Sequence, residues 1–156
     1  MSTVTDYPIA ELVPHTGRMS LLDRALEGDE ESLVAEVTIR EDCLFFENGG
    51  VGGWVGVELM AQAIAAWAGW HARQRGETPK NGFLLGTRSY DCGRPAFKAG
   101  ERLRIEVRRQ FWAENGLGQF DCRIAMDGET VATAALTVFE PPDGSEASRL
   151  ETEGGD

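Results

Sequence analysis

The stretch GGWVGVELMAQAIAAWAGW, residues 52–70, decides the fold. From Val57 onward it is apolar almost all round a helical projection, and its one charged residue, Glu58, stands near the start. A helix with apolar side chains on nearly every face must be covered by other elements. The pattern predicts a helix from about Val57 to Arg75 that stops at Gly76. His71, Arg73 and Arg75 fall in its last turns, where the dipole favours cations. Gln62, Gly69 and His71 interrupt it, and it is too short to span a bilayer.

Outward from this helix the chain reads mostly as strand. SLVAEVTI, from Ser32, alternates apolar and polar residues ahead of a glycine-rich loop, ENGGVGG. After Pro79 come GFLLGTRSYDC, ERLRIEVRRQFWAE, GLGQFDCRIAM and TVATAALTVFE. Asn115-Gly116 and Asp127-Gly128 join the last three as hairpins, because both residues tolerate positive φ. YPIAELVPH forms a short helix or turn closed by Pro14. One mostly apolar helix beside a long antiparallel meander means a sheet that wraps the helix. The expected class is therefore α+β, the outline of a hotdog fold, as a single domain over residues 1–140. Residues 141–156, PPDGSEASRLETEGGD, read as an acidic, disordered tail.

Bulk properties narrow the function. The chain has 156 residues and a net charge of −11, which opposes a general electrostatic footprint on nucleic acid. No basic region precedes an apolar run at the N-terminus, so a soluble, cytoplasmic protein without membrane attachment is expected. Cys43, Cys92 and Cys122 are far apart and lack metal-ligand spacing, which suits reduced thiols and argues against a metal site. Residues 88–109 carry seven bases against three acids, including Arg102 and Arg104. That block reads either as solvated strand faces or as a dock for an anionic partner.

Few residues offer chemistry. Glu58 in a first helical turn has a plain role in complementing the dipole. With Gln62 one turn further on it makes a polar strip, and burial of the helix would suit Glu58 to general acid work. The glycines before it allow close backbone approach, and helix N-terminal amides polarise a carbonyl oxygen. His71 lies about 20 Å along the axis from Glu58 at ~1.5 Å per residue, outside its site. His15, between Pro14 and Gly17, is open to a structural or a catalytic role.

VPHTGRMSLLDRAL near the start and VGVELMAQAIAAWAG in the middle together resemble the hotdog family of 3-hydroxyacyl-acyl-carrier-protein dehydratases. The first segment is similar to that family's PHRYPFLLVDR and the second to its EAMAQ helix, over roughly residues 7–140. The likeness is greatest to a divergent branch associated with aryl polyene pigment pathways. It implies a homodimer or a hotdog heterodimer with acyl tunnels at subunit interfaces, no cofactor, and substrates held on acyl carrier protein or coenzyme A. It implies that Glu58 protonates the departing 3-hydroxyl and that Gly53 supplies a backbone amide to the thioester oxygen. Trp54 and Gln62 join the expected substrate contacts, and Arg102 and Arg104 the expected carrier-protein dock. One feature departs from the pattern. The family histidine lies in NGHFPGHP, whereas this chain has NGGVGG, with Gly50 about where that histidine would stand. His15 is then the candidate base. Besides dehydration, a hotdog thioesterase and a non-catalytic subunit of a heteromeric dehydratase fit these residues.

Overall fold

The computed structural model describes residues 3–15, 17–78 and 83–141. A short helix α1 (Ile9–Leu12) precedes strands β1 (Arg24–Gly28), β2 (Ser32–Thr38), β3 (Phe46–Glu47) and β4 (Gly50–Gly52). Helix α2 spans Val55–Gln74, and β5 (Phe83–Cys92), β6 (Ala96–Lys98), β7 (Arg102–Trp112), β8 (Leu117–Met126) and β9 (Glu129–Phe139) follow. Six strands form one antiparallel sheet in the order β1-β2-β7-β8-β9-β5, and β3-β4-β6 form a small second sheet.

The large sheet curls around α2. Alternate residues face the helix and are almost fully buried: Leu33, Ala35 and Val37 on β2, Leu103, Ile105 and Val107 on β7, Phe120 and Ile124 on β8, Leu136 on β9. Twelve of the twenty helix residues are buried, so α2 is covered on all sides but one. The stripe left half-open is Glu58, Ala61, Ala65 and Ala68, spaced to lie on one face. Truncating a residue such as Met60, which is 0% exposed, would cost about 2–5 kcal/mol in lost burial and residual cavity. The helix ends where expected, with Gly76 at φ 75° just beyond Arg75.

Of the two hairpin turns, one matches expectation and one departs from it. Asp127 and Gly128 both have positive φ, as a two-residue hairpin demands. At Asn115-Gly116 only Gly116 does, because Glu114, Asn115 and Gly116 form a three-residue loop closed by Ala113 N–H to Leu117 O at 2.7 Å. The glycine-rich loop is more ordered than its composition suggested. Asn48 and Gly49 both take positive φ and join β3 to β4, and β4 pairs onward with β6. Pro141, placed at the head of the expected tail, is buried, and residues 142–156 lie outside the described residues.

Among the described residues no helix is long and apolar enough to cross a membrane. No cluster of three or more His, Cys, Asp or Glu side chains stands ready for a metal among them. All three cysteines are free, and burial pushes the Cys122 thiol up to about 12.

Candidate active site

His15 and Glu58 meet, with His15 Nε2 3.9 Å from Glu58 Oε1. Glu58 is fixed by the first turn of α2. His15 hangs between two anchors on the same helix. On one side Leu12 packs over Gly69, where any Cβ would collide with the Leu12 carbonyl, and Arg73 Nε donates to Glu11 O at 3.0 Å. On the other side Gln62 holds the chain: its Nε2 donates to Met19 O at 2.7 Å and its Oε1 accepts from Leu21 N–H at 2.9 Å. The remaining Gln62 hydrogen points to Glu58 Oε1 at 3.2 Å.

Gln62 is therefore not a substrate contact. It is 0% exposed, and its amide is committed on both atoms. Its role is to position, since it orients the Glu58 carboxylate and pins the segment that carries His15. Burial of this kind is stable because every polar atom is satisfied.

Gly53 also departs from expectation. Its N–H donates to Pro95 O at 2.9 Å, so this chain has already used the amide expected to meet a thioester oxygen. Its carbonyl accepts the Tyr90 hydroxyl, whose pKa burial pushes up. Trp54 is 63% exposed, meets Phe45 edge-on at 5.4 Å between ring centres, and stands outside the groove described below.

Gly50, where the resemblance would place a loop histidine, sits tightly against its neighbour strand. Gly50 lies in β4 against β6, and a Cβ there would collide with the Phe97 carbonyl oxygen. No side chain fits at this position on this backbone.

A groove of about 180 Å³ opens at the pair. His15 and Glu58 stand at one end, Ala61, Ala65 and Ala68 form the helix side, and Leu84 and Val138 form the sheet side. Such a channel has apolar walls for a hydrocarbon chain and two titratable groups at its mouth. The Glu58 side chain is 37% exposed and that of His15 28%, so one chain alone leaves the mouth open to solvent. The deep burial anticipated for Glu58 is not supplied by this chain by itself.

Arg102 and Arg104 do not join the site. Leu103 and Ile105, which alternate with them, point inward to α2, so both arginines turn to the opposite face of the sheet. There Arg104 pairs with Glu27 at 3.0 Å, Arg108 with Glu31 at 3.0 Å, and Arg123 with Glu106. A ladder of cross-strand pairs is what a solvated strand face looks like. His71, as expected, is remote: its Nε2 lies 3.1 Å from Asp29 O, and burial lowers its pKa.

A family model described as ApeP-like, ApeP dehydratase, matches residues 7–149. The dehydratase heterocomplex ApeI:P from Xenorhabdus doucetiae contains a chain similar to this one at 32% identity, with a TM-score of 0.86. The match covers 92% of this chain and 97% of that one. The Escherichia coli PaaI protein from the phenylacetic acid degradation operon matches at 19% identity and TM-score 0.56, over 74% of this chain and 80% of its own. A hypothetical thioesterase with coenzyme A from Streptococcus pneumoniae TIGR4 matches at 16% identity and TM-score 0.58, over 75% and 84%. The last two share the hotdog fold. Among curated proteins no sequence match is found.

Proposed function

The chain belongs to the ApeP-like dehydratase family, and on that premise we propose that its His15–Glu58 pair removes water from a 3-hydroxyacyl thioester to give a 2-enoyl thioester. The observation that carries this is the convergence of the two groups, 3.9 Å apart, at the mouth of an apolar groove. His15 Nε2 takes a proton from C2, and the electron pair forms the C2–C3 double bond. The C3–O bond breaks as Glu58 gives its proton to the departing hydroxyl, which leaves as water. His15 then carries the extra proton and Glu58 the negative charge. Passage of that proton from His15 to Glu58, across the short gap between them or through the water released, resets the site.

The acyl chain runs along Ala61, Ala65 and Ala68, small enough to admit it. The thioester oxygen needs donors, and the Gly53 amide is engaged. The helix N-terminus beside Glu58 still offers its positive dipole end to a developing oxyanion. A carrier protein or coenzyme A delivers the thioester.

A second hotdog chain completes the site in this proposal. Edge strand β5 offers unpaired backbone and carries Leu84 at 42% and Leu85 at 58% exposure, an edge open to pairing. The half-exposed mouth supports the same view, and the similar solved chain belongs to a heterocomplex. The test is to incubate the protein, alone and with a second hotdog chain, with 3-hydroxyacyl thioesters and follow them by mass spectrometry. Loss of water is expected. Free acid without loss of water indicates a thioesterase and rejects the proposal.

A further inference from the structure

Beyond the groove, at the far end of α2, lies a larger cleft of about 700 Å³, open to solvent, with Trp67 and Trp112 at its base and Glu30, Arg75, Arg109 and Glu114 among its polar walls. Ala68, Trp112 and Glu140 line both spaces. The Trp112 indole is thus a common wall between the reaction groove and a space several times its volume.

The local structure of β7 places that indole. Leu103, Ile105 and Val107 face the helix, and strict alternation would send Phe111 inward and Trp112 outward. The register with β8 shifts between Arg109 and Phe111, with Arg109 opposite Phe120 and Trp112 opposite Gly118. One extra residue reverses the phase. Phe111 is therefore 45% exposed, and Trp112 turns to the helix side. Its ring centre lies 5.7 Å from Trp67 and 6.2 Å from Phe120. Gly118 across the strand leaves the space the indole occupies, since a Cβ there would collide with the ring. Bulge, glycine and two aromatic neighbours all fix one side chain at the end of the groove.

We infer that Trp112 sets the length of acyl chain the site accepts, by closing the groove beside Ala68, a residue about 15 Å along the helix axis from Glu58 at ~1.5 Å per residue. The inference rests on the dehydratase reading of the groove. Removing the indole joins the two spaces and gives longer chains somewhere to go.

The test compares the protein with Trp112→Ala and Gly118→Ala on two series of graded chain length. One series is 3-hydroxyacyl thioesters, read as kcat/KM for loss of water. The other is saturated acyl-pantetheine ethers, which cannot dehydrate, read as Kd by calorimetry. Trp112→Ala should raise the preference for the longest over the shortest chain by about tenfold or more in both series. Gly118→Ala, which pushes the indole toward the groove, should move the preference to shorter chains. It also keeps the test alive if the alanine at 112 does not fold. Uniform loss at every length, or an unchanged length profile in both variants, overturns the inference. A shifted binding profile with no dehydration by the unmodified protein leaves Trp112 as the length gauge and rejects the dehydratase reading instead.

Discussion

The two ends of α2 each hold a histidine, and they use it differently. At the N-terminal end His15 faces Glu58 across 3.9 Å, at the open mouth of a groove. At the C-terminal end His71 lies between Trp67 and Trp70, with ring centres at 4.6 Å and 5.1 Å, and its Nε2 meets the Asp29 carbonyl. The first has an acid partner and an exposed approach. The second is half-buried, and desolvation, opposed by that hydrogen bond, holds its pKa below the usual histidine range. Surroundings, not residue type, separate the histidine proposed as a base from the one packed at the helix end.

The sharpest way to break this contrast is Glu58→Gln, which keeps the shape and removes the proton. Turnover of a 3-hydroxyacyl thioester should fall by about 10²–10⁴-fold, the range for a lost general acid, with the melting temperature nearly unchanged. His15→Ala should cost about 10²-fold or more in kcat, measured in the same assay. His71→Gln should leave kcat/KM within about threefold, because the ring is remote from the groove mouth.

Gln62→Ala probes the anchor rather than the chemistry. It leaves the Leu21 N–H and the Met19 carbonyl unpaired, at about 1–3 kcal/mol of stability, measurable by urea unfolding. Activity should fall with it as His15 loses its placement. The pH test concerns His71. Its folded pKa lies below the unfolded value, so the unfolded chain binds more protons as pH drops. Stability should be fully present above about pH 6.5 and decline as pH falls toward the folded pKa. His71→Gln should flatten that slope. The smallest effect belongs to Arg104→Glu, which breaks an exposed pair with Glu27 and should change stability by less than about 1 kcal/mol.

The sequence made the frame legible where periodicity runs long. The apolar circumference of residues 57–74 and the alternation of β2, β7, β8 and β9 point to a wrapped helix, and β7, β8 and β9 pair in sequence as a meander does, whereas β5 crosses to the far edge beside β9. Short strands carry no period, so β4 and part of β3 read as a glycine-rich loop and β6 carries no signal of its own, each being two or three residues long. One signal is present in Asn48-Gly49, a dipeptide of the two-residue turn type, and both residues take the positive φ that such a turn requires. Glu58 was legible because a carboxylate on an apolar helix stands out. Gln62 does reach Glu58 as the i, i+4 spacing indicates, but its other partners are backbone atoms at residues 19 and 21, which no spacing reveals. Gly53 was assigned by position in a motif, and the hydrogen bond that occupies its amide comes from Pro95, some forty residues on. Trp112 was hidden by a bulge, since one extra residue reverses every inference about which side chains face inward.

A double-mutant cycle on kcat tests the central claim most directly. Dehydration is measured for the unmodified protein, Glu58→Gln, His15→Ala and the double variant, in the same assembly and with the same thioester. Groups that act as one unit are strongly non-additive, so the double variant should be no slower than the slower single one within about threefold. Full additivity of the two losses, or dehydration that survives both substitutions, would contradict a shared His15–Glu58 site.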